Sequence, residues 1–214
     1  YCLIEPFGGA GAVFLNSQFE RYILADINPD LINLFNIVKD NVDAYIEACK
    51  PIFFAENANA ADYYYEQRDT FNQSTDPFER SVLFLYLNRF GFNGLCRYNS
   101  KNEFNVPFGA YKTHYFPEDE LRYFAHKAQS AVFLCADFQQ TFELADKHSV
   151  IYCDPPYAPL PQDTNFTGYA GNAFGLEHQK NLAECAKKAQ KEKQISVVIS
   201  NHDTKFTREI YKGA

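Results

Sequence analysis

The chain has 214 residues, 46% of them hydrophobic and 22% charged, with a formal net charge of −7. That composition excludes wholesale disorder, and its longest apolar runs, such as Ser81–Leu87, fall far short of the roughly 20 residues a membrane span needs. The acidic balance argues against a nucleic-acid partner until the distribution is read. Between Asn88 and His114 stand Arg89, Arg97, Lys101 and Lys112 against Glu103 alone, a basic island that suits phosphate contact but also occurs on ordinary solvated faces.

In chain order, Cys2–Glu5 is a short apolar strand, Pro6–Gly11 a tight turn, and Ala12–Leu15 the start of a helix. Tyr22–Ala25 is a second strand ending on Asp26, and Asn28-Pro29 opens a helix running to about Val38. From about Asn41 to Phe90 the chain turns helical. Ala60–Phe71 and Asp76–Asn88 carry apolar residues at three- and four-residue spacing, with Asp76-Pro77 as a cap, and the aromatics of Asp62–Phe71 are expected in the helix core. Phe90–Lys112, with Gly91, Gly94 and Gly109, reads as a hairpin with long irregular connections. After a helix from about Pro117 to Ser130, alternation resumes. Val132–Cys135 is a strand, Phe138–Leu144 a helix, Val150–Cys153 a strand, and Asp154–Phe174 a loop. Leu176–Lys193 is a helix, Ile195–Ser200 a strand, and Thr204–Tyr211 the start of a helix.

Strand–helix alternation predicts an α/β fold with a parallel sheet covered on both faces. Residues 1–35 and 118–214 are expected to form that domain, interrupted by a helical and hairpin subdomain at 36–117. The six cysteines are scattered, without Cys-x-x-Cys, so neither a disulfide framework nor a metal site is expected, and a reducing, cytoplasmic setting fits. There is no Met, and an apolar run opens straight into a Gly-rich turn. Both ends therefore read as trimmed, with no signal peptide.

Two constellations carry chemistry. In Glu5-Pro6-Phe7-Gly8-Gly9-Ala10-Gly11, glycines between a strand and a helix let a ligand approach the backbone, and Asp26 ends the next strand where a carboxylate can accept from a ribose. The dinucleotide spacing is incomplete, because Phe14 stands at its sixth position, and a Gly-rich turn that binds nothing is the plain alternative. Asp154-Pro155-Pro156-Tyr157 is more specific. Two prolines fix the backbone beyond a strand's carboxyl end, holding a carboxylate, carbonyls without competing donors, and an aromatic ring. Such a group suits a planar amine; its plain alternative is a turn with Asp as a turn residue.

These two motifs together resemble the S-adenosylmethionine-dependent amino methyltransferases of DNA. The stretch Leu85–Lys112, with Leu87-Asn88-Arg89-Phe90-Gly91-Phe92-Asn93-Gly94-Leu95-Cys96-Arg97-Tyr98-Asn99 and Phe104-Asn105-Val106-Pro107-Phe108-Gly109, is similar to the Dam-type adenine-N6 enzymes that modify GATC. The likeness extends to Ser200-Asn201-His202-Asp203. It implies a Rossmann-like methyltransferase sheet carrying an inserted target-recognition subdomain, and S-adenosylmethionine as methyl donor with S-adenosylhomocysteine as product.

Residue by residue, the resemblance places Glu5, Phe7, Gly9 and Gly11 around the cofactor's methionine part, Asp26 on its ribose, and Asp137-Phe138 against its adenine. Asp154 and the Pro155 carbonyl, braced by Pro156, would grip N6 of a flipped adenine stacked on Tyr157. In the hairpin Arg97 would read a guanine through O6 and N7, Leu95 and Pro107 would meet a thymine methyl, and Phe92 would enter the duplex. Arg89, Asn93 and Tyr111 are further DNA contacts, whereas Ala110 stands where a basic phosphate contact is expected. The family's N-terminal segment, with a Lys for the first guanine, and its final strands lie outside the sequence. The resemblance implies a bacterial or phage enzyme in the cytoplasm, acting on nucleoid DNA, and leaves its role open among mismatch repair, DNA replication and phage defence. A monomer suffices, because each strand of a palindrome can be methylated in a separate event.

Rival readings are an N4-cytosine or other planar-amine methyltransferase, and a DNA-binding module with an impaired catalytic site. His202 beside Asp203 imitates a base–orienter pair but lacks a nucleophile motif, so a structural role is expected. Cys153 is expected to point into the sheet, which excludes a cysteine nucleophile of the cytosine-C5 kind.

Overall fold

The computed structural model describes residues 1–160 and 174–213; the Pro-, Gly- and Asn-rich part of the loop expected after Asp154 therefore lies partly outside the described residues. In chain order the elements are β1 (Cys2–Glu5), α1 (Ala12–Asn16), β2 (Arg21–Asp26), α2 (Pro29–Asp40), α3 (Val42–Phe53), α4 (Ala61–Gln73), α5 (Pro77–Phe90), a 3-10 turn (Phe92–Gly94), α6 (Glu118–Ala128), β3 (Ala131–Cys135), α7 (Phe138–Glu143), β4 (Ser149–Cys153), α8 (Leu176–Lys193), β5 (Ser196–Ile199) and α9 (Lys205–Ile210). They form two compact units, Tyr1–Ile27 with Ser130–Ala214, and Asn28–Gln129.

The first unit is built on a parallel sheet of order β3-β2-β1-β4-β5. Its central strand β1 is buried along its whole length, as an apolar run without alternation requires in a sheet covered on both faces. Cys2 and Ile4 of β1 and Ile151 and Cys153 of β4 pack with Phe138 and Phe142 of α7 and Leu182 of α8. Phe14 of α1 meets Tyr22 of β2 and Phe133 of β3 edge-on, at 4.9 and 6.0 Å. The order in which strands are added to the sheet reverses between β1 and β4. All five carboxyl ends lie along one edge, so the crevice at that reversal is where such sheets take ligands.

In the second unit the expected caps are present. Asn28 accepts from the Asp30 and Leu31 amides ahead of Pro29, and Asp76 accepts from the Glu79 amide ahead of Pro77. For α3 the sequence predicts only helical composition, with no bounds. Asn41 ends α2 through its N–H to the Ile37 carbonyl and starts α3 by accepting from the Ala44 amide, so no glycine or proline marks the join. Of the aromatics expected in the core of α4, Tyr64 and Phe71 are fully buried, whereas Tyr63 is half-buried and Tyr65 is exposed.

The expected hairpin is present in reduced form. Its arms meet at two antiparallel bridges, Gly91 with Phe108 and Tyr98 with Phe104, and the tip is closed by Asn99, which accepts from the Lys101 and Glu103 amides. Buried Phe104 and Val106 anchor it, Asn72 binding both backbone groups of Phe104 and the Tyr64 hydroxyl donating to the Val106 carbonyl. Side chains from α4 thus take the place of a continuous strand ladder.

Candidate active site

The Gly-rich turn after β1 is tied to the end of β2. The Gly8 amide donates to the Ala25 carbonyl at 2.7 Å, and the Gly9 amide to Asp26 Oδ2 at 3.0 Å. Gly9 and Gly11 have φ values of 45° and 71°, which side-chain-bearing residues rarely adopt. A Cβ on Gly9 would meet nothing within 4 Å, so open space lies over the turn. Glu5, at the end of β1, is only 3% exposed, and its Oε1 is buried without a hydrogen-bond partner among the described residues. Burial pushes its carboxyl up to about 7; the Phe14 amide opposes the shift, and the charge of Asp154 adds to it.

Phe7 stacks on Phe138 at 5.6 Å, and Phe174 stands edge-on to both at 5.3 and 5.7 Å. Phe138 is buried, and Asp137 caps α7 by accepting from the Gln139 amide at 2.8 Å. The structure therefore brings Glu5, Phe7, Gly9, Gly11, Asp26, Asp137 and Phe138 to one end of the sheet, and adds Phe174, which sequence reasoning missed.

Asp154, Pro155, Pro156 and Tyr157 follow β4 on the other side of the reversal in strand order. Ser200, just past β5, donates its amide to the Cys153 carbonyl at 3.0 Å and its hydroxyl to Asp154 Oδ1 at 2.5 Å. Gln179 donates to the Pro156 carbonyl at 2.7 Å, and the Ala158 amide donates to Asn201 Oδ1 at 2.9 Å. His202 meets the Ala158 carbonyl through Nδ1 at 2.8 Å; a carbonyl only accepts, so Nδ1 carries the proton. Tyr157 is 44% exposed, its ring edge-on to His202 at 5.0 Å.

His202 and Asp203 form no base–orienter pair, because both Asp203 oxygens are bound by Arg208 at 2.6 Å. That guanidinium holds the carboxyl below its ordinary value. Cys153 is wholly buried and its thiol is pushed far up by burial, which disqualifies it as a nucleophile.

In the second unit the hairpin gathers the other candidates. Phe92, Leu95 and Tyr111 are exposed large hydrophobics, and Arg89, Asn93, Arg97 and Pro107 are exposed beside them in the same segment. Arg97 is held from behind, its Nε and Nη2 donating to the side-chain and backbone oxygens of Asn105 at 2.8 and 3.0 Å. The Asn93 amide donates to the Tyr111 hydroxyl at 2.7 Å, and the Phe92 amide to the Pro107 carbonyl at 2.8 Å. The Arg89 guanidinium lies over the Tyr115 ring, 5.0 Å from its centre.

The model of the D12 class of N6 adenine-specific DNA methyltransferases matches residues 1–214, the whole chain. The DNA adenine methylase of Haemophilus influenzae is 84% identical over 213 residues, covering 100% of this chain and 74% of that protein. Those of Vibrio cholerae and Escherichia coli are 60% and 59% identical, over 99% and 100% of this chain and 76% of each relative. The chain belongs to the D12 class. The Dam-type likeness seen in the motifs therefore holds, and the molecule is an adenine-specific DNA methyltransferase whose Rossmann-like sheet carries the Gly-rich turn and the Asp154 loop on one edge. Among the described residues no group of His, Cys, Asp or Glu is arranged to hold a metal ion, and no helix is long and apolar enough to cross a membrane.

Proposed function

We propose that the chain transfers the methyl group of S-adenosylmethionine to N6 of an adenine flipped out of a GATC site in double-stranded DNA, leaving S-adenosylhomocysteine. One observation carries this reading. In the loop after β4 the Pro156 carbonyl and both backbone groups of Ala158 are bonded within the protein, whereas no described group donates to the Pro155 carbonyl. The single described donor to Asp154 is Ser200, on Oδ1. Two adjacent acceptors are thus available, in a stretch whose prolines supply no competing N–H.

A planar amino group is a poor nucleophile because its lone pair is delocalised into the ring. Accepting both N–H hydrogens at Asp154 and the Pro155 carbonyl favours a pyramidal nitrogen with its lone pair exposed, and positioning does most of the work. Tyr157 supplies a stacking face that offsets part of the few kcal/mol, roughly, that unstacking the base costs.

The turn side fits the methyl donor. The buried Glu5 Oε1, unpaired among the described residues, suits a cationic or N–H-bearing group, and the open space over Gly9 admits a ligand against the backbone. Phe7, Gly9 and Gly11 would hold its methionine part, Asp26 its ribose, and Asp137 with Phe138 its adenine. When bound it supplies an electrophilic methyl on a sulfonium sulfur. In the hairpin Arg97 would read a guanine edge, Leu95 and Pro107 a thymine methyl, and Phe92 would enter the duplex, with Arg89, Asn93 and Tyr111 as further contacts. A monomer in the cytoplasm, acting on nucleoid DNA, meets these requirements.

The test incubates the protein with unmethylated bacterial DNA and methyl-labelled S-adenosylmethionine, then assays nucleosides and cleavage by nucleases sensitive to GATC methylation. Labelled N6-methyladenine confined to GATC is expected. Label on cytosine N4, or DNA binding without transfer, overturns the reading. Asp154→Ala is expected to lower transfer by about 10²- to 10³-fold or more while S-adenosylhomocysteine binding persists.

A further inference from the structure

The loop that would grip the amine, Asp154–Ala158, has no regular structure of its own, and its two prolines cannot donate hydrogen bonds. Its conformation therefore depends on what the neighbouring elements supply. One supplier is Gln179, on the first turn of α8. It is 1% exposed, and it stands as a polar side chain on the buried face that Leu182, Ala183 and Ala189 continue. Its Nε2 donates to the Pro156 carbonyl at 2.7 Å, and its Oε1 accepts from Asn201 Nδ2 at 2.8 Å. Asn201 in turn accepts, through Oδ1, from the Ala158 and His202 amides, each at 2.9 Å.

The orientation of both amides is dictated by the backbone. The Pro156 carbonyl can only accept and the Ala158 and His202 N–H groups can only donate, so neither amide can flip without losing bonds. The two side chains, Gln179 buried and Asn201 half-buried, form a relay from α8 through the loop after β5 to both sides of Tyr157.

We propose that Gln179 and Asn201 are positioning residues for methyl transfer: together they clasp the loop at Pro156 and Ala158, and so present the Pro155 carbonyl, the Asp154 carboxylate and the Tyr157 ring in one fixed arrangement. This rests on the reading of Asp154–Tyr157 as the amine-binding group. Neither residue touches the reacting atoms. Both clasp bonds fall on the residues immediately flanking Tyr157, and the first lies one residue beyond the Pro155 carbonyl. Loss of the clasp is expected to slow the chemical step while leaving the Gly-rich turn, and hence cofactor binding, intact.

The decisive variant is Gln179→Glu. Its carboxyl can still accept from Asn201, but it can donate to the Pro156 carbonyl only when protonated. Ionised, it sets a negative charge against that carbonyl. Single-turnover transfer to unmethylated bacterial DNA is measured with protein in excess, for wild type, Gln179→Glu, Gln179→Met and Asn201→Ala. The pH runs from about 5.5 to 8.5, the range in which buried carboxylates titrate.

Relative to wild type, Gln179→Glu is expected to transfer well at the acid end and to fall by about 10- to 100-fold as pH rises. Gln179→Met and Asn201→Ala should be slow by a similar factor at every pH, and S-adenosylhomocysteine affinity should match wild type in all three. A Gln179→Glu profile parallel to wild type, or a wild-type rate in Gln179→Met, overturns the clasp. If Gln179→Glu does not fold, by circular dichroism and ligand binding, the other two variants decide on the same rates. Absence of transfer to adenine by wild type itself would instead refute the proposed function, so the two failures are distinguishable.

Discussion

At the scale of single residues, Glu5 is the least compensated group of the site. Its carboxyl is buried at the end of β1, with Oε1 unpaired among the described residues; the Phe14 amide steadies its charge, and the charge of Asp154 opposes it. Because its pKa is raised on folding, from 4.5 to about 7, the folded state holds a proton that the unfolded chain has given up. The resulting cost is absent below the lower value, grows as pH rises through the window, and levels off above the upper one at up to about 3 kcal/mol. Glu5→Gln cannot ionise, so its unfolding free energy relative to wild type is expected to rise with pH across that window. Urea titrations at several pH values measure this, and a pH-independent difference would contradict it. The sequence singles out Glu5 and Asp154 because proline follows each at a strand end, Gly9 because it lies in the Gly-rich turn, and Asp26 because it closes the next apolar run. Gln179 and Phe174 carry no such mark. In retrospect Gln179 interrupts the inward stripe that Leu182, Ala183 and Ala189 continue along α8, and a polar residue on that stripe was the available signal.

At the scale of elements, the hairpin depends on a carboxylate far from it in sequence. Arg80 of α5 binds Asp30 of α2 in a two-point fork, at 2.9 and 3.0 Å, and spends its remaining reach on the Phe71 and Ser74 carbonyls. Tyr98, on one arm of the hairpin, donates to the same carboxylate at 2.7 Å, and its hydroxyl is pushed up by burial and by that charge. Asp30 is 7% exposed, so its removal strands a guanidinium that water cannot reach freely. Asp30→Ala is expected to destabilise the chain by about 3–5 kcal/mol in denaturant titration. A loss below about 1 kcal/mol would place the pair among ordinary surface bridges. Caps and apolar spacing made α2 and α5 readable from Asn28-Pro29 and Asp76-Pro77. The fork was not readable, because nothing local distinguishes Asp30 from any other acidic residue in a first helical turn.

At the scale of the whole molecule, a net charge of −7 coexists with an island of four cations and one anion between residues 88 and 114. If that island provides the phosphate contacts, DNA affinity should fall with salt no more steeply than a log–log slope of about −4, one counterion for each cation. Fluorescence anisotropy across a salt series reads the slope, and a much steeper one would mean that cations elsewhere also reach the backbone. Alternating strands and helices made the α/β class legible, and helical composition from about Asn41 pointed to an inserted stretch at 36–117, whereas the second compact unit runs from Asn28 to Gln129. The order β3-β2-β1-β4-β5 was not, since strands of similar length and apolarity say little about which neighbours they choose.

The two acceptors left over in the loop after β4 also count hydrogens. On the proposed reading, unmodified adenine offers two at N6, one for Asp154 and one for the Pro155 carbonyl, and the methylated base offers one. Product in the pocket leaves one acceptor without a partner, a penalty of about 1–3 kcal/mol that the substrate never meets. On the proposed reading the grip that orients the amine is weakened by its own success. The pocket ejects what it has made, and a second methyl on the same nitrogen finds no place to be held.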